Sequence, residues 1–239
     1  MSRLTWHNPG EKRYERGVQN VVLFPFNSLT NTFSKGVAWN GCTAVNESPS
    51  GAEPTDLWAD NRKYATFRSK EEFGLTIEAY AYPDEWYPCD GMDISTGAII
   101  TGQLRRKFCL AYRSEVGNDL AEDFGYKIRI AYGLTASPSE KSNTTINDSP
   151  EAQTFSWECS STPVPVSVLP NETETSLIIV DSTVVGMAAM YAIEAVLYGT
   201  NDIPGDPLAD PPVDPVPGSD PQLLMPDEVV ALIAANPAP

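Results

Sequence analysis

Residues 36–91 read GVAWNGCTAVNESPSGAEPTDLWADNRKYATFRSKEEFGLTIEAYAYPDEWYPCDG, and this stretch decides the fold class. In 36–45, Val37, Trp39 and Gly41 fall on one strand face. In 73–82, Leu75, Ile77 and Ala79 alternate with Thr76, Glu78 and Tyr80, the period of a half-buried strand. Residues 57–68 are read as a further strand. Between them, 47–56 (ESPSGAEPTD) is loop by composition, because Pro, Gly, Ser and Asp favour turns over ladder pairing. A loop of that length is either flexible or functional. Residues 83–91 predict a short helical turn: Pro83 can open it, Asp84 and Glu85 suit its N-terminus, and Pro88 and Gly91 limit it.

The same period extends outward. Val18, Val21, Val22, Leu23, Phe24 and Phe26 make a first apolar strand. Phe108, Leu110 and Tyr112 alternate with Lys107, Cys109, Ala111 and Arg113, and Tyr126, Ile128, Ile130 and Tyr132 with Lys127, Arg129 and Ala131, so each strand is expected to keep one wet or interfacial face. Residues 153–159 set Phe155, Trp157 and Cys159 against Thr154, Ser156 and Glu158, and 176–180 is a last short strand. One helix is expected over 182–198, capped by Asp181 or Ser182 and ended by Gly199. Its apolar stripe is Val184, Met187, Ala188, Tyr191, Ala195 and Tyr198, which should cover a sheet.

Both termini differ from this body. Residues 1–16 hold Pro9, Gly10 and a charge cluster without periodicity and are read as an arm, frayed or docked on a neighbour. The β-domain then spans 17–200. After Thr200 the chain holds 10 of its 21 prolines and 7 acids with no Lys or Arg. Residues 201–222 are an acidic Pro-rich linker in which no α-helix can form. Residues 223–239 form a short C-terminal helical segment, whose apolar positions Val229, Val230, Leu232 and Ile233 want a partner: a tail partner or an adjacent subunit.

Charge and chemistry narrow the function. Sixteen Lys and Arg against 32 Asp and Glu give a net charge of −16, which disfavours a grip on nucleic acid or an anionic membrane. No apolar run reaches the roughly 20 residues of a membrane span, and the polar N-terminus is unlike a signal peptide. Cys42, Cys89, Cys109 and Cys159 lack metal-ligand spacing and read as reduced thiols, so no metal or cofactor is expected. An enzyme is not expected either: His7 is the only imidazole, and no Gly-x-Ser-x-Gly elbow or phosphate-binding glycine loop is present. The acidic pairs Glu71–Glu72, Asp84–Glu85 and Glu122–Asp123 are read as surface or helix-end charge. Arg105, Arg106 and Lys107 form the only basic triplet, and Lys127 with Arg129 the only basic strand face. Both are read as cations paired with acids of the same or a neighbouring subunit.

Taken in order, the quoted segment, FCLAYRSEVGND (108–119) and GYKIRIAYGLTASPSEKSNTTINDSPEAQTFSWECSSTPVPV (125–166) resemble the major tail tube protein of long-tailed, siphovirus-type bacteriophages. The likeness covers most of residues 18–166 and excludes the acidic tail and its helix. It implies a mainly β fold, a β-sandwich or barrel-like subunit with one flanking α-helix, assembling into hexameric rings that stack as a tube. It further implies a virion protein made in the host cytoplasm, with a tape measure protein and a tail terminator as partners. DNA would pass through the lumen without specific binding. Four strands from each of six subunits, about 4.8 Å apart, enclose a bore roughly 37 Å across, wide enough for a duplex about 20 Å wide after side chains are subtracted.

Such a channel gives the charge a use. A basic wall would hold phosphates, whereas an acidic one lets DNA slide. Candidate lumen-facing acids are Glu78 and Glu158, then Asp84 and Glu85. Glu78 and Glu158 on the outer surface is the competing assignment. Contacts between subunits or rings are expected from the arm, from Glu47, Ser48, Pro49, Ser50, Gly51, Glu53 and Pro54 in the loop, and from Lys127 and Arg129. Ring closure would also pair exposed strand edges. Two other readings stand: the inner tube of a contractile tail or injection device, and a carbohydrate-binding β-sandwich with Trp39, Trp58, Trp86 and Tyr87 as a stacking platform.

Overall fold

The structure, a computed structural model, describes residues 4–51, 53–145, 152–169, 173–204 and 215–237. In chain order its first strands are β1 (Tyr14–Asn27), β2 (Thr32–Phe33), β3 (Val37–Ala38), β4 (Cys42–Glu47), β5 (Ser50–Gly51), β6 (Pro54–Ala59), β7 (Arg62–Arg68), β8 (Glu71–Glu72) and β9 (Gly74–Ala79). A 3-10 turn (Asp84–Trp86) precedes β10 (Met92–Ser95), β11 (Ala98–Thr101), β12 (Phe108–Gly117) and β13 (Gly125–Ala136). Then come β14 (Phe155–Ser161), β15 (Val164–Val166), β16 (Thr173–Thr175), β17 (Leu177–Asp181), α1 (Ser182–Val185), α2 (Met187–Leu197) and α3 (Pro226–Ala235).

The large antiparallel sheet runs β2-β1-β12-β13-β14-β9-β4, with β17 also on β13 and β3 on β1. Residues 37–47 join its ends. Val37 and Ala38 pair with Leu23 and Val22, the Trp39 N–H donates to the Val21 carbonyl at 2.8 Å, and β4 pairs with β9. Gly41, at φ 83°, lets the chain turn between the two pairings. The sheet therefore curls back on itself in a barrel-like ring, leaving few free edges.

Alternation fills the barrel. Leu75, Ile77 and Ala79 of β9, Trp157 and Cys159 of β14, Leu110 of β12 and Leu23 of β1 share one interior cluster. Trp86, fully buried, enters it from the 3-10 turn, with its ring 4.7 Å from Trp39, 4.8 Å from Phe108 and 5.2 Å from Trp157. The helical turn expected at 83–91 thus exists, and it stoppers one end of the barrel.

A second cluster lies outside the wall. Val22, Phe24, Cys109, Ala111, Ile128, Ile130 and Tyr132 pack beneath Met190, Ile193 and Leu197 of α2 and against Leu224 and Val229. Most of β12 and the centre of β13 are consequently buried on both faces, which corrects the wet face expected for each. Small and apolar side chains at Cys109, Ala111 and Ala131 permit it; Arg113 and Glu115 of β12, and Gly125, Lys127, Arg129 and Thr135 of β13, stay partly open.

The single flanking helix is also corrected, since three α-helices are present among the described residues. Asp181 caps the first by accepting from the Thr183 N–H at 2.8 Å. Gly186, at φ 80° and ψ 159°, then breaks the run and restarts it in a new phase. The buried face of α2 is Ala189, Met190, Ile193 and Leu197, while Val184, Met187, Ala188 and Tyr191 of the expected stripe are exposed.

The C-terminal helix finds its partner within the chain. Tyr132 Oη donates to the Leu224 carbonyl at 2.9 Å, Gln222 N–H to Val196 at 2.8 Å, and Gly36 N–H to Pro221 at 2.9 Å. Docking on another protein is therefore not needed to cover Leu224 and Val229. The flanks of the acidic segment also pair, Thr200 with Ser219 and Ile203 with Val216, so the tail leaves and returns. Asp206, Asp210 and Asp214 lie outside the described residues. At the other terminus, Tyr14, Glu15 and Arg16 belong to β1, and Gly10 donates its N–H to Asp119 Oδ1 at 2.9 Å, so residues 10–16 of the arm are docked on their own subunit.

Candidate assembly surface

The region read as a loop plus one strand is a projecting hairpin. After Glu47, Ser50 and Gly51 pair with Glu72 and Glu71 to form a stem. Gly51 is required there: its φ is +82°, and a Cβ would sit 2.9 Å from the Lys70 carbonyl oxygen. Beyond the stem, β6 pairs with β7 from Pro54↔Arg68 to Ala59↔Arg62. Asp60 (φ 51°) and Asn61 (φ 58°) make the tip, the left-handed pair that a two-residue type I′ turn demands. The expected strand 57–68 is thus two strands, folded at Asp60-Asn61.

This ribbon covers no core. Thr55, Leu57, Ala65 and Phe67 share one face by register, and a bulge at Leu57/Trp58 interrupts the ladder near the tip. Asp56 accepts from Thr66 Oγ1 at 2.8 Å and holds Lys63 Nζ at 2.7 Å on the other face. Trp58 is 69%, Tyr64 78% and Phe67 61% exposed. A two-stranded ribbon gains little stability from such side chains, which makes its large apolar groups a candidate contact surface. The hairpin β10–β11 repeats the pattern on a smaller scale, with Ile94, Ile99 and Ile100 about half-exposed.

Charge separates the ribbon from the body. Residues 54–70 hold Arg62, Lys63, Arg68 and Lys70 against Asp56 and Asp60, whereas the rest of the chain has 12 cations against 30 acids. Among the described residues Arg62 and Arg68 make no ion pair, and neither do Glu71 and Glu72 at the stem.

The root of the ribbon is fixed by an ionic network. Tyr112 Oη donates to Glu47 Oε1 at 2.6 Å, and Arg129 Nε lies 3.0 Å from the same oxygen. Arg129 also meets Glu15 at 2.6 Å and Ser114, and Lys127 meets Glu15 and, at 3.6 Å, Asp181. Hydrogen bonds from Arg129 and then Lys127 hold the Glu15 carboxyl below its usual value of 4.5. Burial, followed by the bond to Glu47, pushes the Tyr112 phenol up. Glu47, Lys127 and Arg129 therefore pair with groups of the same subunit, where β1, β4, β12, β13 and β17 converge. Ser50 and Gly51 form the stem, Ser48 donates its N–H to the Gly74 carbonyl at 2.8 Å, and Pro49, Glu53 and Pro54 are exposed along the route outward.

Two cations of the basic triplet are likewise paired within the subunit. Arg105 pairs with buried Asp90 at 3.0 Å, where Lys141 joins at 2.7 Å, and Lys107 reaches Thr162 Oγ1 at 3.4 Å. Glu78 and Glu158 are brought together. Ser156 stands opposite Glu78 and Thr76 opposite Glu158, so the two acids are diagonal neighbours on the outward, polar face of β9 and β14. Asp84 and Glu85 lie apart from them, exposed on the 3-10 turn outside the Trp86 stopper. The proposed sugar platform is not assembled, because Trp39 and Trp86 are buried in the barrel while Trp58 is on the hairpin.

The four thiols are free. Burial pushes Cys42 up to about 11 and Cys89, Cys109 and Cys159 up to about 12, which suppresses thiolate chemistry. Among the described residues no helix is long and apolar enough to cross a membrane. Compared with known proteins, the chain matches no protein-family model and no curated sequence at a significant level.

Proposed function

We propose that this chain is a structural protein that polymerises with itself, as six-membered rings stacked into the tail tube of a long-tailed bacteriophage. The observation that carries this reading is the β6–β7 hairpin, an exposed ribbon rich in aromatic and arginine side chains that serves no core of its own. Trp, Tyr and Arg are the residue types that dominate binding energy at protein interfaces. The resemblance in residues 18–166 supplies the ring, the tape measure protein and the tail terminator; the hairpin supplies a physical means of joining copies.

The two outer faces of the barrel support a channel. One is covered by α2 and α3, and the other presents Thr76, Glu78, Ser156 and Glu158. In a ring, the helix-covered face suits the outside and the polar, acidic face suits the bore, where carboxylates would repel phosphate and let a duplex slide. The inner tube of a contractile tail would use the same features.

The stem offers a clean test. Residues 52–70 replaced by Asn-Gly would close the hairpin at the Gly51↔Glu71 pair with a favourable two-residue turn. The expected product is a folded monomer that forms no tubes under negative-stain electron microscopy. Normal tubes from that variant would refute the hairpin's role.

A further inference from the structure

We infer that the barrel carries a charge-locked seam: β4 is held to β1 at one mouth of the barrel by the Arg129 guanidinium rather than by backbone pairing, and it opens there while the rest of the barrel stays folded. The inference concerns the subunit alone and stands whether or not copies assemble.

The seam begins where the ladder stops. Val37 and Ala38 pair with β1, and the Trp39 N–H donates to the Val21 carbonyl at 2.8 Å. Beyond that bond, among the described residues, no backbone hydrogen bond joins residues 42–47 to residues 14–20, although β4 pairs with β9 and β1 with β12 on their far sides. Two register shifts, with Gly17 at φ 70° and Asn20 at φ 52°, bend and twist β1 along this stretch. A further shift between Cys42 and Ala44 interrupts the ladder that β4 does have. A cavity of about 380 Å³ lies in the gap, lined by Glu15, Gly17, Val18, Val45, Asn46 and Arg129 among others.

Side chains do here what the ladder does elsewhere. Tyr112 belongs to the interior cluster and Arg129 stands opposite it in register, so Arg129 enters the seam from inside the barrel. Its Nη2 lies 2.6 Å from Glu15 of β1 and its Nε 3.0 Å from Glu47 of β4. One cation thus bridges two strands that each present an acid to it. The Arg129 side chain is only 14% exposed, so salt screens the bridge weakly. Lys127, the other cation of the network, meets Glu15 and Asp181. Without Arg129, Glu47 keeps the Tyr112 hydroxyl as its partner and faces Glu15 across the gap. Removing one member of a desolvated ionic set costs more than neutralising the whole set, because it leaves charge unmatched.

A thiol at position 45 reads the seam directly. Val45 lines the gap and packs against the interior cluster, so in a Val45→Cys chain the rate of alkylation there by iodoacetamide follows seam opening. Buried Cys89, Cys109 and Cys159 report global unfolding in the same digest, read by peptide mass spectrometry. Adding Arg129→Gln should speed alkylation at position 45 about tenfold or more and leave those three thiols unchanged. Loss of a neighbouring cation makes a thiol harder to ionise and slows its reaction, so a faster rate reports exposure and not electrostatics. Adding Glu15→Gln and Glu47→Gln as well should return the rate to within about threefold of the Val45→Cys parent. An unchanged rate with Arg129→Gln, equal acceleration at Cys89, Cys109 and Cys159, or no recovery when both acids are neutralised would each overturn the inference.

Discussion

The barrel interior and the β6–β7 hairpin are built from the same residue types and put to opposite uses. Inside, Trp39, Trp86 and Trp157 pack ring against ring with almost no exposure. On the hairpin, Trp58, Tyr64 and Phe67 stand in solvent on a ribbon one layer thick. The first set stabilises the subunit and is finished within it. The second set has no packing partner among the described residues of the subunit. Removing an aromatic residue should therefore cost folding in one region and assembly in the other.

Two changes are expected to affect folding most, and the first is at the stopper. Trp86→Ala should lower unfolding free energy by about 3–5 kcal/mol, measured by denaturant titration, because a void opens where four rings meet. A loss below about 1 kcal/mol would mean that the barrel end does not depend on it.

Truncation after Thr200 comes next. It strips Leu224 and Val229 from the outer cluster, worth about 3–6 kcal/mol at about 1.5–3 kcal/mol for each buried side chain. The truncated chain should melt earlier and aggregate through the bared β1–β12–β13 face. An unchanged melting temperature would show that α3 contributes nothing to the subunit.

Against these, Trp58→Ala with Tyr64→Ala should shift stability by no more than about 0.5 kcal/mol, as surface changes do, while assembly followed by light scattering collapses. A large stability loss without an assembly defect would reverse the comparison.

The smallest effect concerns the network at the hairpin's root. Glu15 has its carboxyl held below 4.5, so its contribution is complete above that pH and is lost as pH falls through the lowered value. Glu15→Gln should therefore lower stability at neutral pH, and the gap to wild type should narrow below pH 4.5. A gap that stayed constant down to pH 2 would argue against an ionised Glu15 in the network.

Much of the barrel was legible because strand faces leave a period of two: Leu75, Ile77, Ala79, Trp157 and Cys159 point inward as that period requires. What escaped depends on distant partners or single backbone angles. Closure by residues 37–47 is non-local, and nothing in the period says that β3 will meet β1 while β4 meets β9. Cys109 and Ala111 are small enough to suit either a wet or a covered face, so only the helices above them settle the matter. Gly186 sits within a helical pattern that tolerates one glycine, and its φ of 80° shifted the buried stripe.

The site was legible in part. Residues 47–54 mark where the chain leaves the barrel, and Glu78 with Glu158 were placed on a common polar face. The hairpin itself was missed because Asp60-Asn61 lacks the glycine that usually announces a tight turn. The length of 57–68 was the available signal, since a single strand of 12 residues is twice the usual length. Which acids Lys127 and Arg129 would meet was not legible, because Glu15, Glu47 and Asp181 come from remote parts of the chain.

Self-assembly through the hairpin is tested most directly by negative-stain electron microscopy of the purified full chain at rising concentration, with class averages viewed down the axis. Hollow tubes of uniform width built from six-fold rings are the expected result. Particles that stay monomeric at every concentration, with the hairpin intact, would contradict it.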